Sequence, residues 1–212
     1  MFLVELFNQS LSTGYVPAAF KEAYITPLLK KADPDSADAR SYRPISNLSV
    51  SSKLLERLVV NQLLEYLNAE RLLPEMQSAY RAFHSTETAV LKVMADILLA
   101  LDRGDIAFLI LLDLSSAFDT VDHATLLKRM EISYGLGGNL LGWFQSYLSG
   151  RKQSVKCHNA RSLRTLVLSG VPQGSVLGSV LFLLYTADLL RLVEQFHLCL
   201  LYTSDAAANR EV

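Results

Sequence analysis

The sequence predicts an α+β fold, helix-rich with short antiparallel sheets, and three patterns carry that prediction. Between Ser49 and Leu67, Leu54, Leu55, Leu58, Val59, Leu63 and Leu67 recur every three or four positions, while Lys53, Glu56, Arg57, Asn61 and Glu65 take the other side. That is the period of an amphipathic helix. Phe108-Leu-Ile-Leu-Leu112 is an apolar run that ends on Asp113. So short a run reads as a strand buried on both faces, although period alone leaves a helix segment open. Gln153–His158 and Arg164–Leu168 read as two strands around a turn at Asn159-Ala160.

The chain has 212 residues, half of them hydrophobic and 19% charged. That composition supports a globular core and one or two domains. No apolar run reaches the roughly 20 residues that a membrane span needs. Met1-Phe-Leu-Val-Glu5 lacks a basic start, so no signal peptide is expected and the protein should be intracellular, in nucleus or cytoplasm, and not secreted. Cys157 and Cys199 form neither a metal-binding spacing nor a disulfide framework. The net charge of −1 does not advertise a nucleic-acid binder. The basic residues are clustered, however. Arg151, Lys152, Lys156, Arg161 and Arg164 share a segment without an acid, and Lys30, Lys31, Arg40 and Arg43 form another group. Such patches suffice for phosphate contact, and solvated turns are the alternative.

In chain order, Phe2, Leu3, Leu6 and Phe7 mark one face of a helix that Gly14 and Pro17 end. Ala23–Lys30 reads as a strand, with Pro27 favouring an edge. Lys31–Asp38 is a polar loop, and Tyr42–Ile45 returns antiparallel. The amphipathic helix over 49–67 follows. Gln77–Arg81 is extended, and Thr86–Leu101 is a second long helix with Ser85 or Thr86 as its cap. Arg103-Gly104-Asp105 turns into the apolar run. Asp122 opens a further helix, where a carboxylate suits the dipole, and His123 beside it reads as structural. After Gly137-Gly138, Leu140–Leu148 is a helix whose Trp143 and Phe144 pack into the core. Ser169–Gly178 is a Gly-rich turn that leads into an apolar helical pattern from Ser179 to Tyr185. Glycines there let backbone approach a ligand, and the helix start offers N–H groups to anions.

Asp113 is the chemical focus. A carboxylate at the end of a buried strand costs several kcal/mol if left unpaired. A divalent cation would neutralise it; capping the next helix is the plainer alternative. Asp113 and Phe118, followed by Gly170-Val-Pro-Gln-Gly-Ser175 and preceded by Tyr42-Arg-Pro-Ile-Ser-Asn-Leu48 and Gln77-Ser-Ala-Tyr-Arg81, together resemble the reverse transcriptases of non-LTR (LINE-type) retrotransposons. The resemblance runs from near the start to about Cys199.

It implies a right-hand polymerase fragment. Residues 1–100 would be N-terminal helices and fingers, and 101–199 a partial palm with its hairpin at 150–168. It implies an RNA-directed DNA polymerase using Mg²⁺, with Mn²⁺ as an option, and acting on an RNA template, a DNA primer and deoxynucleoside triphosphates. In that family Asp113 would be catalytic. It would hold metal with the backbone carbonyl of Leu114, and Asp205 would be a weak stand-in for the second carboxylate. Lys30, Lys31 and Arg43 match residues that grip the triphosphate. Phe118 matches the steric gate beneath the ribose, and Gln173 and Gly174 match the nucleotide pocket. Gln77, Arg81, Arg151 and Lys152 would contact template or primer. Arg43, Phe118 and the Gln77–Arg81 segment each have a plainer reading as packing or a loop clamp.

Two departures stand out. Ser179 occupies a position where the family commonly has proline. Phe196–Val212 contains Tyr202 and Asp205 but no Tyr-Ala-Asp-Asp hairpin. Residues 200–212 therefore read as atypical, and the chain by itself should extend a primer little or not at all. The alternatives are a non-catalytic remnant with weak nucleic-acid binding and an RNA-directed RNA polymerase. The latter would use Asp119 near the ribose, and Phe118 argues against it.

Overall fold

The computed structural model describes residues 2–30, 37–73, 78, 83–111, 117–157 and 159–195. They fall into two compact units, one of residues 1–69 and 116–185, the other of residues 70–115 and 186–212. Both are discontinuous, so the first unit joins residues from either side of the expected division at residue 100.

In the first unit, α1 (Phe2–Thr13) ends at Gly14. Gly14 has φ +67° and lies so close to Asn139 that an added Cβ would meet the Asn139 carbonyl at 2.8 Å. A short 3₁₀ turn leads into β1 (Glu22–Leu29), which pairs antiparallel with β2 (Tyr42–Asn47) and parallel with β3 (Lys152–Cys157). Two short strands, β4 (Ala160–Arg161) and β5 (Thr165–Leu166), pair antiparallel with β3. The sheet is thus mixed, and β1 lies inside it.

Pro27 on an inner strand corrects the expectation of an edge, and the ladder shows why it is tolerated. The parallel pairing with β3 ends at Ile25–Val155, so Pro27 has a neighbour only on β2, namely Pro44. On β2, Ser46 sends its N–H outward to the Gln173 carbonyl at 2.7 Å. Two residues away, Pro44 stands in the same outward phase, so neither proline removes a bond from the ladder.

The first unit also holds α2 (Val50–Ala69), α4 (His123–Ile132) and α5 (Gly138–Leu148), which packs against both α1 and α4, with α3 (Thr86–Asp102) in the second unit and α6 (Val176–Glu194) running from the first into the second. Trp143 and Phe144 are buried as expected, edge to face with centroids 5.4 Å apart. Ser85 caps α3 and exchanges hydrogen bonds with Thr88 in a capping box. No described helix is long and apolar enough to cross a membrane.

Further expectations fail. Residues 106–111 belong to no described strand, and Phe108 is 88% exposed. An apolar run becomes a buried strand only when neighbouring strands take its backbone hydrogen bonds, and the sheet closes instead through β1, β2 and β3. Asp113 itself lies outside the described residues. On α2 the buried stripe is Ser52, Leu55, Glu56, Val59, Val60, Leu63 and Leu67, whereas Leu54 and Leu58 are exposed. Glu56, expected outward, is 1% exposed.

The reason is the start of α6. Glu56 Oε2 accepts the backbone N–H of Val176 at 2.8 Å and of Leu177 at 3.5 Å, while Oε1 accepts the hydroxyls of Tyr147 at 3.1 Å and Ser52 at 3.3 Å. The side chain therefore caps one helix from another. Arg151, expected to contact template or primer, is 2% exposed. It lies over the Tyr147 ring at 4.6 Å and donates through Nη1 to the Tyr147 carbonyl at 3.1 Å. Its charge belongs inside because the Glu56 carboxylate does. Burial raises the Glu56 carboxyl above its ordinary range, against the opposing pull of the Arg151 charge and of the hydrogen bonds from Val176, Tyr147 and Leu177. Burial and the nearby carboxylate push the Tyr147 hydroxyl far above its usual range.

Glu56→Ala would leave Arg151 uncompensated and orphan the Val176 and Leu177 N–H groups, while the Ser52 and Tyr147 hydroxyls keep the Phe20 carbonyl and Ser175 Oγ as acceptors; urea unfolding should show a loss of about 3–5 kcal/mol. A raised carboxyl pKa means that the folded state binds more protons than the unfolded state between the two values. Stability from this group is therefore present at low pH and falls as pH rises from the ordinary glutamate range through the raised one. Wild type should lose stability relative to Glu56→Gln across that window. A pH-independent difference between the two would show that Glu56 titrates as it does in the unfolded chain.

Candidate nucleotide site

The site is built where the Gly-rich loop meets two other segments. Gly170 N–H bonds the Val121 carbonyl at 2.7 Å, Val171 N–H bonds the Phe118 carbonyl at 2.8 Å, and Ser169 Oγ donates to the Asp119 carbonyl at 3.3 Å. His123 Nε2 lies 2.7 Å from the Gly170 carbonyl, which makes it a structural residue as expected. Gly170 has φ +85°, and a Cβ there would come within 2.9 Å of both Asp119 Cα and the Phe118 carbonyl. Only glycine fits so close a crossing of two backbones. Asp122 caps α4 by accepting the Thr125 N–H at 2.7 Å, and this bonding holds its carboxyl below the ordinary range.

The other end of the loop is fastened to the sheet. The Gln173 carbonyl takes the Ser46 N–H, and Gly174, at φ +104°, passes so near β2 that a Cβ would meet the Ser46 carbonyl at 3.0 Å. One short loop thus ties β2, which carries Arg43, to the turn that carries Phe118. Phe118 is half-buried. Its ring stacks on Phe182 of α6 with centroids 5.3 Å apart and planes 27° apart. Gly178 makes room for the loop backbone, since its missing Cβ would lie 2.8 Å from the Pro172 carbonyl, whereas at 3.8 Å from Phe118 Cδ1 it would only touch the ring.

The start of α6 does not offer its N–H groups to an anion, in contrast to what the Gly-rich turn suggests. Glu56 takes those of Val176 and Leu177, and Ser175 Oγ takes that of Gly178 at 2.7 Å. A carboxylate already occupies the position that a phosphate would need.

The remaining expected site residues are spread unevenly. Lys30 is exposed at the end of β1, with its N–H on the Ser41 carbonyl at 2.9 Å. Arg43 is half-buried on β2, opposite Leu28. Lys152 starts β3 opposite Glu22, with β1 between it and the strand of Arg43. Arg151 is in the core. Lys31, Gln77, Arg81, Asp113, Leu114 and Asp205 lie outside the described residues. The structure therefore brings together Phe118, Gln173, Gly174 and the strand of Arg43. Among the described residues no three His, Cys, Asp or Glu side chains gather to hold a metal ion.

The sequence reading missed Glu56, Tyr147, Ser46 and Phe182. A signal for Glu56 existed, because positions 52, 56, 59, 63 and 67 are spaced by three and four along one helix face. A charged residue in that stripe asks for a buried partner.

The family model for reverse transcriptase (RNA-dependent DNA polymerase) matches residues 29–207. It reaches past Cys199, where the motif resemblance had been expected to stop, and it includes Tyr202 and Asp205. The "RNA-directed DNA polymerase from mobile element jockey" of Drosophila funebris is 37% identical over 189 residues, which are 89% of this chain and 20% of that protein. The "Probable RNA-directed DNA polymerase from transposon BS" of Drosophila melanogaster is 35% identical over the same shares. The chain spans about a fifth of the length of the curated relatives it matches. The loop that joins Phe118 to β2 is thus part of a match covering most of the chain, and the chain belongs to the reverse transcriptase (RNA-dependent DNA polymerase) family of non-LTR retrotransposons.

Proposed function

We propose that this chain forms the fingers and part of the palm of an RNA-directed DNA polymerase, which builds DNA from deoxynucleoside triphosphates on an RNA template and a DNA primer. The observation that supports the reading best is the double fastening of the Gly-rich loop, through Val171 to Phe118 and through Gln173 to Ser46. It sets the Phe118 ring and the strand of Arg43 in one rigid frame, as a pocket that reads both sugar and triphosphate requires.

Within this reading Arg43 grips triphosphate oxygens with its planar fork, and Lys30 and Lys31 add point charges. Gln173 and Gly174 line the pocket with backbone. Gln77, Arg81 and Lys152 contact template or primer; Arg151 drops from that set because it is buried. Reverse transcriptases use divalent metal ions. Asp113, the Leu114 carbonyl and Asp205 are all oxygen donors, the set that Mg²⁺ prefers and Mn²⁺ accepts. Such an ion would lower the charge cost of attack by the primer hydroxyl.

A second reading, a non-catalytic remnant of a mobile element, is favoured by one feature: Asp205 follows Tyr202 without an adjacent aspartate. Primer extension on an RNA template separates the two. In a full-length polymerase carrying this domain, Asp113→Asn should lower extension by about a thousandfold, the loss of several kcal/mol of transition-state stabilisation. It should also abolish the Mg²⁺ dependence of nucleotide binding. Undiminished extension by that variant would remove Asp113 from the chemistry.

Phe118 supplies the test of sugar selection. A ring edge at C2′ leaves no room for a hydroxyl and offers it no hydrogen bond. In the same protein, Phe118→Val should raise ribonucleotide incorporation relative to deoxynucleotide about five- to 150-fold, as a discrimination of 1–3 kcal/mol implies. If use of both nucleotides falls in parallel, the ring serves only to pack on Phe182.

A further inference from the structure

The basic segment after α5 is not one patch. Its members have separate fates in the fold. Arg151 is buried under the Glu56 carboxylate network, and Arg164 pairs with Glu22 at 3.3 Å, the same acid that stands opposite Lys152. Lys156 and Arg161 have no acidic partner among the described residues. They sit directly opposite each other across the β3–β4 pair, on one face of the sheet. Like charges so placed destabilise a hairpin, and an anion between them would relieve the repulsion.

The same face carries an aromatic ring. Tyr24 of β1 pairs with Ser154 of β3, two residues before Lys156. Tyr24 is 41% exposed, and Lys156 Nζ lies 5.5 Å from its ring centroid. Arg161 Nε donates to the buried Ser154 Oγ at 2.8 Å. That bond anchors the guanidinium through one of its five N–H groups and leaves its terminal amino groups for a ligand. Tyr24, Lys156, Asn159, Ala160 and Arg161 line a cavity of about 450 Å³, within the size range of small-molecule sites. The register extends this face onto β2, where Asn47 pairs with Tyr24 and Arg43 lies four residues along the same side.

We propose that this face binds a single-stranded nucleic acid, with one base stacked on Tyr24 and the flanking phosphates held by Lys156 and Arg161. The elements are those that hold single strands without reading sequence: an aromatic platform beside cations that follow the backbone. In the complex the base takes the place of the ammonium over the ring, and Lys156 turns on its flexible stem to the neighbouring phosphate. Neither Tyr24, Lys156 nor Arg161 belongs to the Phe118 pocket, so the test needs neither metal nor nucleotide and can fail while the polymerase reading stands.

The test is anisotropy of labelled oligouridine and oligothymidine bound by the 212-residue chain over a series of salt concentrations. Tyr24→Ala should weaken binding roughly five- to 150-fold, whereas Tyr24→Phe should keep it, because stacking needs the ring and not the hydroxyl. Changing Lys156 and Arg161 together to Gln should lower the slope of log affinity against log salt by about 1.4, two phosphates at 0.7 each. Lys156→Gln alone should lower it by about half of that, and among the described residues the Lys156 side chain makes no hydrogen bond whose loss could disturb folding. Loss with both oligomers supports the site, and loss with one alone supports it and shows which sugar it admits. Affinity and slope unchanged in Tyr24→Ala and Lys156→Gln would overturn the proposal, as would losses seen only with duplex.

Discussion

A carboxylate buried in the first unit would be expelled or neutralised unless the fold surrounded it with donors. Glu56 is surrounded by four, two from the backbone at the start of α6 and two hydroxyls, with the Arg151 guanidinium over the adjoining Tyr147 ring. Much else depends on that arrangement. It fixes the angle at which α6 leaves the Gly-rich loop, because the first N–H groups of the helix can point only at Glu56. It joins α2, α5 and α6 through polar groups of fixed direction, which apolar packing alone does not supply. It also leaves the Gly-rich loop no freedom to slide along α2. Burying these charges is costly in itself, so the arrangement is better understood as a device for orientation than as a source of stability.

Upon that anchor the loop acts as a bridge. Its first residues are bonded to the Phe118 turn and its last to the edge of β2, and glycines stand at both crossings because a side chain would strike backbone. The ring of Phe118 is then braced from behind by Phe182. If the ring refuses an extra hydroxyl as proposed, it has to be stiff, since a ring free to yield would discriminate little. The stacked pair provides that stiffness. Under that proposal packing and selectivity need not compete at Phe118, because one face of the ring packs on Phe182 and an edge is left for a sugar.

The sheet adds a second layer of organisation. Because β3 joins β1 in parallel while β2 joins it antiparallel, distant parts of the chain contribute to one exposed face. Tyr24, Lys156, Arg161 and Arg43 come from three sequence regions that no local pattern links. Their common side follows only from strand register, in which each residue shares a face with its direct partner.

The sequence by itself determined most of the helices and the first hairpin. Period three-and-four placed α2, turn residues placed the β1–β2 reversal, and Ser85 and Asp122 marked caps that the structure contains, whereas Ala160, read as turn, opens β4, and the strand read over Arg164–Leu168 is only the short β5. Motifs in order sufficed to identify the family, since each is a local string. Partners were decided only by tertiary structure. Glu56 looked like a surface residue because solvent and a buried helix end satisfy a carboxylate equally well, and only the position of α6 chooses between them. Arg151 and Lys156 looked alike in a run of basic residues, yet one lies buried over the Tyr147 ring and the other exposed over that of Tyr24. Phe108–Leu111 carried the apolarity of a buried strand, but apolarity states a preference for burial and does not supply the neighbouring strand that would satisfy it. Local pattern encodes backbone conformation, whereas burial of charge and pairing of strands are agreements between segments far apart in the chain.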